Sequence, residues 1–310
     1  IGPVFTRGQQ ISGGGARGLA HIGFLEALEE MHIPTPSLIA GCSMGAIVGG
    51  LYAAGRKPAE MRKILGTRFD VTDFMTDADF FFTHGPINKV FQIGRGIKNL
   101  LSSDGVDSGG KVRDLLLELT EKVEFGHTTI PFYCNATDLY TGAEIVLEEG
   151  PIADGMRASS SFPGVFSPFE KDGMLLADGY LRNNTPVWIA RKHGIKHVFA
   201  IYLDRFGQID RSRMKNAADV LLRSFDCALY ARPKTRVSRQ DIPSASILVA
   251  NDRSPFDFER PDLQINFGYE ATMAQSQIIE AFFATGYRGL SARRNLAQKE
   301  RKGAQHEQPR

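Results

Sequence analysis

Gly41-Cys42-Ser43-Met44-Gly45 is a G-x-S-x-G pentapeptide that follows an apolar run and opens a stretch of small and apolar residues. A turn that passes directly from strand to helix is crowded and strained, so it needs glycine on both sides. It lifts the serine oxygen clear of the sheet, and the helix N-terminus favours negative charge there. The flanks fit this reading. Ser37-Leu38-Ile39-Ala40 predicts a short buried strand, and Ala46 to Ala54 predicts a buried helix with close backbone packing. Ser43 is therefore the candidate nucleophile, and Gly41 and Gly45 shape its elbow.

Along the chain, apolar runs alternate with helical patterns, which favours a sheet covered by helices on both faces. Leu19, Ile22, Leu25, Leu28 and Met31 recur at helical spacing. Further helices are predicted over 58–65, 111–119, 151–158, 186–193, 213–230 and 269–283, and strands over 131–135, 144–147, 174–177, 197–203 and 245–250. The segment from Thr67 to Gly110 carries Phe69, Phe74, Phe80, Phe81, Phe82 and Phe91 without periodicity. It reads first as pinned to the core and second as an apolar lid. No linker divides the chain, so residues 1–290 read as one catalytic domain and 291–310 as a basic, flexible tail.

A hydrophobic content of 42% with 23% charged residues suits an ordinary globular protein, and a net charge of +2 gives no electrostatic case for nucleic acid. Cys42, Cys134 and Cys227 are odd in number and lack metal-type spacing, so they read as free thiols with no metal site. Ile33 to Gly55 has no Asp, Glu, Lys or Arg and is long enough to span a bilayer. Pro34, Pro36 and its glycines break such a span, and a strand, elbow and helix account for the same apolarity. Location reads as cytoplasmic or membrane-peripheral, with secretion as part of a longer chain left open.

Gly13-Gly14-Gly15-Ala16-Arg17-Gly18 precedes the first helix. Beside the elbow, the amides of Gly13, Gly14 and Gly15 can hold the negative oxygen of a tetrahedral intermediate, with Arg17 and Gly18 supporting the loop. The same letters satisfy G-x-G-x-x-G. However, Arg7-Gly8-Gln9-Gln10-Ile11 is polar for a buried strand, and no acidic ribose ligand ends the second strand. A phosphate loop fails because Leu19 stands where lysine is required.

The serine needs a base. In a Ser-Asp-His order the candidates are His193, at a helix end, and His197, at a strand start. The other solution is Asp178, which ends the apolar run Met174-Leu175-Leu176-Ala177 and is followed by Gly179. A carboxylate contacting Ser43 in a desolvated cleft would have its pKa raised into the working range. A plain Asp-Gly turn is the simpler reading of that pair alone.

Together these residues resemble the patatin-like phospholipases, including their bacterial members. Gly13 to Gly18 is similar to that family's oxyanion loop, Gly41 to Gly45 to its elbow, and Asp178-Gly179 to the start of its aspartate motif. Arg157-Ala158-Ser159-Ser160-Ser161-Phe162-Pro163-Gly164 resembles its Ala-Ser and Pro block, and Asn135 to Gly142 its strand-to-turn segment. Tyr180 stands where the family often has glycine or alanine, and Thr6 to Gln10 is polar where it usually has an apolar strand. The resemblance implies a three-layer α/β/α sandwich with a mostly parallel central sheet. It implies a lipid acyl hydrolase with a Ser43–Asp178 dyad, no cofactor, and a phospholipid or other acyl-ester lipid as substrate, with transient contact to a membrane surface. A Ser-Asp-His esterase and a catalytically weak lipid-binding protein of the same fold remain as alternatives.

Overall fold

The computed structural model describes residues 7–66, 109–163, 165–203, 217–230, 242–249, 258–284 and 289–292, with single positions at 209, 210, 214, 240, 255 and 294. Most of the phenylalanine-rich segment and residues 295–310 of the tail lie outside them. The strands are β1 (Arg7–Ile11), β2 (Leu38–Gly41), β3 (Phe132–Asp138), β4 (Glu144–Leu147), β5 (Phe169–Lys171), β6 (Met174–Asp178), β7 (His197–Tyr202) and β8 (Ala245–Leu248). They form one sheet along the path β5-β6-β3-β2-β1-β7-β8, with β4 paired to β3. From β3 to β8 the neighbours run parallel, and β4, β5 and β6 pair antiparallel.

The sheet is buried on both faces by alternate residues. Ile11, Ile39, Phe199 and Ile201 point into the larger core, with α1 (Ala20–Glu30), α2 (Met44–Ala53) and α3 (Pro58–Leu65). The same core holds α4 (Gly110–Leu119) and α5 (Ile152–Ser159). Leu38, Ala40, Val198 and Ala200 point the other way, onto α6 (Val187–Lys192). This is the α/β/α sandwich that the alternation predicts. The apolar stretch from Ile33 to Gly55 is taken up by β2 and α2, and among the described residues no helix is long and apolar enough to cross a membrane.

Two elements differ from the sequence reading. The polar run Arg7–Ile11 is the central strand, flanked by β2 and β7. Its backbone pairing on both edges outweighs its side chains. Arg7 sits half-buried at the strand's start, where its Nη1 donates to the Phe283 carbonyl at 2.6 Å. The late helix is two, α8 (Pro261–Met273) and α9 (Ser276–Phe283), after α7 (Ala217–Tyr230). The break at Ala274-Gln275 lets the Gln275 amide donate to the Leu248 carbonyl at 2.9 Å and accept from its N–H at 3.3 Å. That amide occupies backbone groups of β8, the end strand of the path, where an open edge would invite further pairing.

Gln9 and Gln10 are fully buried, and among the described residues their side-chain amides have no hydrogen-bond partner. Gln9 shares a register position with Ile39 and Phe199, so it points into the larger core. An unpaired buried amide costs about 1–3 kcal/mol. Gln9→Leu, of similar size, is therefore expected to raise the thermal unfolding midpoint, and a lowered midpoint would contradict this account of the central strand.

Candidate active site

The elbow forms because β2 ends beside β1. The Cys42 N–H donates to the Ile11 carbonyl at 3.1 Å, and the Cys42 carbonyl accepts from the Gly45 N–H at 2.8 Å, so the chain turns directly into α2. Ser43 caps that helix at φ 53° and ψ −127°, a conformation that costs a non-glycine residue on the order of 1–3 kcal/mol. Its carbonyl accepts from the Ala46 and Ile47 N–H groups, and its own N–H donates to Ser159 Oγ at 2.9 Å. Gly45 is needed for close approach, since a Cβ there would lie 2.5 Å from the carbonyl oxygens of both Ile11 and Ser12. Gly41 is the last residue of β2.

Asp178 reaches Ser43 through the register of β3. Cys134 pairs with Gly41 on one side and Leu147 on the other, and Ala136 pairs with Asp178 and Ile145. A strand has two edges, and β4 holds one of them. β2 and β6 therefore lie end to end along the other and run toward each other, so their C-termini meet. The Ser43 hydroxyl donates to Asp178 Oδ2 at 2.7 Å. Oδ1 accepts from the Tyr180 N–H at 2.8 Å and faces the Cys42 thiol at 3.9 Å. The Asp178 backbone is held as well, its N–H donating to the Ser161 carbonyl at 2.9 Å and its carbonyl accepting from Thr137 Oγ1 at 3.0 Å.

Asp178 is fully buried, and burial raises its pKa to about 7, against the opposing pull of the Ser43, Tyr180 and Cys42 hydrogen bonds. Burial, and then the Asp178 charge, push the Cys42 thiol well above its usual value. The neighbouring sulfur is therefore a neutral thiol rather than a competing thiolate.

The glycine cluster lies against the elbow, where a Cβ on Gly13 would come within 2.9 Å of Ser43 Cβ. The Gly13 N–H donates to Asn184 Oδ1 at 2.8 Å and the Asn184 amide donates back to the Gly13 carbonyl at 3.3 Å, so this peptide is already engaged. Gly14 and Gly15 line the same cavity as Ser43 and Asp178, and among the described residues their N–H groups have no hydrogen-bond partner. Arg17 and Gly18 belong to the 3-10 turn Gly15–Leu19, with Arg17 also lining the cavity. Met44, Ile47, Val112, Phe162, Phe166 and Phe258 give that cavity an apolar wall.

Neither candidate imidazole stands beside Ser43. His193 stacks on Tyr133 at 3.8 Å between ring centres, with Nε2 3.3 Å from Glu148. His197 is exposed at the N-terminal end of β7, whereas Ser43 follows the C-terminal end of β2 in the same parallel array. Among the described residues no three His, Cys, Asp or Glu side chains gather as a metal site, and all three cysteines are free.

Sequence reasoning missed Asn184, Ser159 and His21. His21 is fully buried, and its Nε2 contacts the Ser12 carbonyl at 2.8 Å. Burial lowers its pKa to about 4, so a neutral ring donates from Nε2 and anchors the start of the glycine loop. Only Ser159 carried a signal, its place in the Ala-Ser block.

An uncharacterized NTE family protein of Mycobacterium tuberculosis is 35% identical over 179 residues, covering 57% of this chain and 43% of that protein. A lysophospholipase of Cryptococcus neoformans is 30% identical over 224 residues, covering 68% of this chain and 12% of that protein. The chain thus spans less than half the length of these curated relatives. VipD from Legionella pneumophila shares the fold, with a TM-score of 0.50 at 16% identity over 88% of this chain and 66% of that one. The family model for patatin-like phospholipases matches residues 11–191, more than half of the sequence and both sides of the site, and the chain belongs to that family.

Proposed function

We propose that this chain hydrolyses carboxylic esters of phospholipids or related lipids through an acyl-enzyme on Ser43. The observation that carries the reading is the 2.7 Å hydrogen bond from the Ser43 hydroxyl to a buried carboxylate, beside two amides in an apolar-walled cavity. Family membership supports the lipid class, and so does the wall, since an acyl chain leaving water gains about 0.8 kcal/mol per buried methylene.

Ser43 Oγ attacks the ester carbonyl as Asp178 Oδ2 accepts its proton. The carbonyl oxygen gains negative charge and is held by the Gly14 and Gly15 amides, while Gly13, tied to Asn184, fixes the loop. When the intermediate collapses, Asp178 returns the proton to the departing alkoxide, and the acyl group stays on Ser43. A water molecule then attacks the acyl carbonyl, Asp178 takes its proton, and the fatty acid leaves as the proton passes back to Ser43 Oγ. A carboxylate with a pKa near 7 can both accept and return that proton close to neutral pH.

Ser43→Ala and Asp178→Asn are each expected to lower kcat by at least ~1000-fold, while His193→Ala and His197→Ala stay near wild type. Assay of a lysophospholipid and a chromogenic acyl ester checks this, and a few per cent of activity surviving in Ser43→Ala would overturn it. Because the base must be ionised, wild-type kcat should rise with pH through about 7.

Stability moves oppositely. The folded-state pKa of Asp178 lies above its unfolded value, so the ionised buried carboxylate destabilises the fold above about 7, and that cost fades as pH falls toward the ordinary carboxylate range. Asp178→Asn should unfold at a higher temperature than wild type in mildly alkaline buffer, by an amount reflecting a few kcal/mol at most. The gap should narrow on acidification, and melts across pH that run parallel would falsify the assignment of burial as the cause.

A further inference from the structure

Three consecutive serines end α5 and follow it, and their hydroxyls do different things. Ser160 Oγ donates to the Met156 and Arg157 carbonyls, and Ser161 Oγ to that of Arg157, all within the same segment. The hydroxyl of Ser159, which is fully buried, instead accepts the N–H of Ser43, 116 residues away, at 2.9 Å. Two residues on, the Ser161 carbonyl accepts the N–H of Asp178 at 2.9 Å. One short stretch of chain therefore grips both members of the dyad by the main chain, on either side of the bond between them.

The stretch is itself pinned. The Arg157 guanidinium, 1% exposed, donates to the Gly109 carbonyl at 3.1 Å, to Ser161 Oγ at 2.6 Å and to the Ser167 carbonyl at 2.9 Å, and it lies 5.1 Å from the centre of the Phe166 ring. Multiple charge-assisted donors from one rigid, planar group leave the turn little freedom. Building on the dyad reading, we infer that Ser159 is a positioning residue for acyl transfer: its hydroxyl oxygen, set by the Arg157-pinned turn, fixes the strained Ser43 backbone and so aims Ser43 Oγ at Asp178.

Ser159 does not line the cavity, so its loss should leave substrate binding intact and act on turnover. Without the acceptor the half-buried Ser43 loses the partner of its N–H, and the elbow relaxes away from φ 53° to find another. Oγ then leaves Asp178. The groups facing that carboxylate are the Ser43 hydroxyl, the Tyr180 N–H and the Cys42 thiol, and each favours its ionised form. Removing the Ser43 contact therefore moves the acidic limb of the pH profile upward.

The test compares wild type, Ser159→Ala, Ser159→Thr and Ser43→Ala with a lysophospholipid across pH, with active sites counted by fluorophosphonate labelling. Ser159→Ala is expected to lose ~100-fold in kcat per labelled site at unchanged KM, with the acidic limb displaced upward. Ser159→Thr, which keeps the hydroxyl, should regain most of that loss. Wild-type kcat per site and an unmoved limb in Ser159→Ala, with Ser43→Ala inactive, would overturn this role and leave the dyad standing. Activity surviving in Ser43→Ala would overturn the dyad and this role together. Fewer labelled sites at normal turnover per site would show that Ser159 only holds the fold, which also overturns it. Should Ser159→Ala fail to fold, Ser159→Cys replaces it: the weaker sulfur acceptor predicts lower kcat with the same upward limb, and wild-type values reject the proposal.

Discussion

The end-to-end meeting of β2 and β6 along one edge of β3 is the constraint on which the rest of the site depends. Ser43 and Asp178 are 135 residues apart in sequence, and no local turn could bring them together. The ladder does so because Gly41 pairs with Cys134 and Asp178 with Ala136, one strand repeat further on. A slip of one residue in the β3–β6 pairing would reverse the face that Asp178 presents, and one in the β2–β3 pairing would reverse that of the strand leading into the elbow, so either would part the carboxylate from Ser43. Such a slip of β6 would exchange the faces of Leu176 and Ala177, both fully buried but unequal in size, and would part Thr137 Oγ1 from the Asp178 carbonyl it donates to. The proposed chemistry therefore rests on the same strand register and packing that fold the sheet.

Holding this geometry has costs, which the surrounding packing offsets. Ser43 keeps an unfavourable backbone conformation, and Asp178 keeps a carboxylate out of water. Both are met by hydrogen bonds with neighbouring hydroxyls and main-chain amides rather than by a counter-charge. An arginine beside Asp178 would have stabilised its ionised form and lowered its basicity. The guanidinium that is fully buried nearby, Arg157, instead donates to main-chain carbonyls and to Ser161 and presents its face to Phe166. Positive charge thus stiffens the support while the carboxylate keeps a pKa near neutrality, as the proposed base requires.

The sequence made some of this legible and hid the rest for definite reasons. Ser43 could be read because a crowded strand-to-helix turn leaves its mark locally, as glycines at 41 and 45. Asp178 could be proposed because it ends an apolar run at a glycine, but its role depended on a family resemblance, since an Asp-Gly after a strand is more simply a turn. Ser159 and His21 each act through one hydrogen bond to a backbone group and Asn184 through two, those of Ser159 and Asn184 reaching across 116 and 171 residues, and such bonds impose no periodicity or spacing on a sequence. The central strand was obscured by Gln9 and Gln10, because strand pairing is a backbone property that polar side chains need not prevent. The helix break at Ala274-Gln275 was invisible for a similar reason: only the neighbouring edge of β8 explains why the chain turns there.

An imidazole is the usual answer to activating a serine because its ordinary pKa already lies near neutrality. A carboxylate reaches the same range only if most of its hydration is removed and only part of the lost stabilisation is returned. Asp178 meets both conditions, with one oxygen on the Ser43 hydroxyl and the other on a single N–H and a weakly donating thiol. Had Oδ1 accepted two or three strong backbone donors, the carboxylate would have stayed ionised but become a poor base. The thiol of Cys42 fits this balance. It fills space against Asp178 without the donor strength of a hydroxyl, so serine at position 42 would return more stabilisation to the charge and weaken the base. The x residue of the elbow, which the G-x-S-x-G pattern leaves open, is therefore coupled through Asp178 to the proton transfer proposed for Ser43.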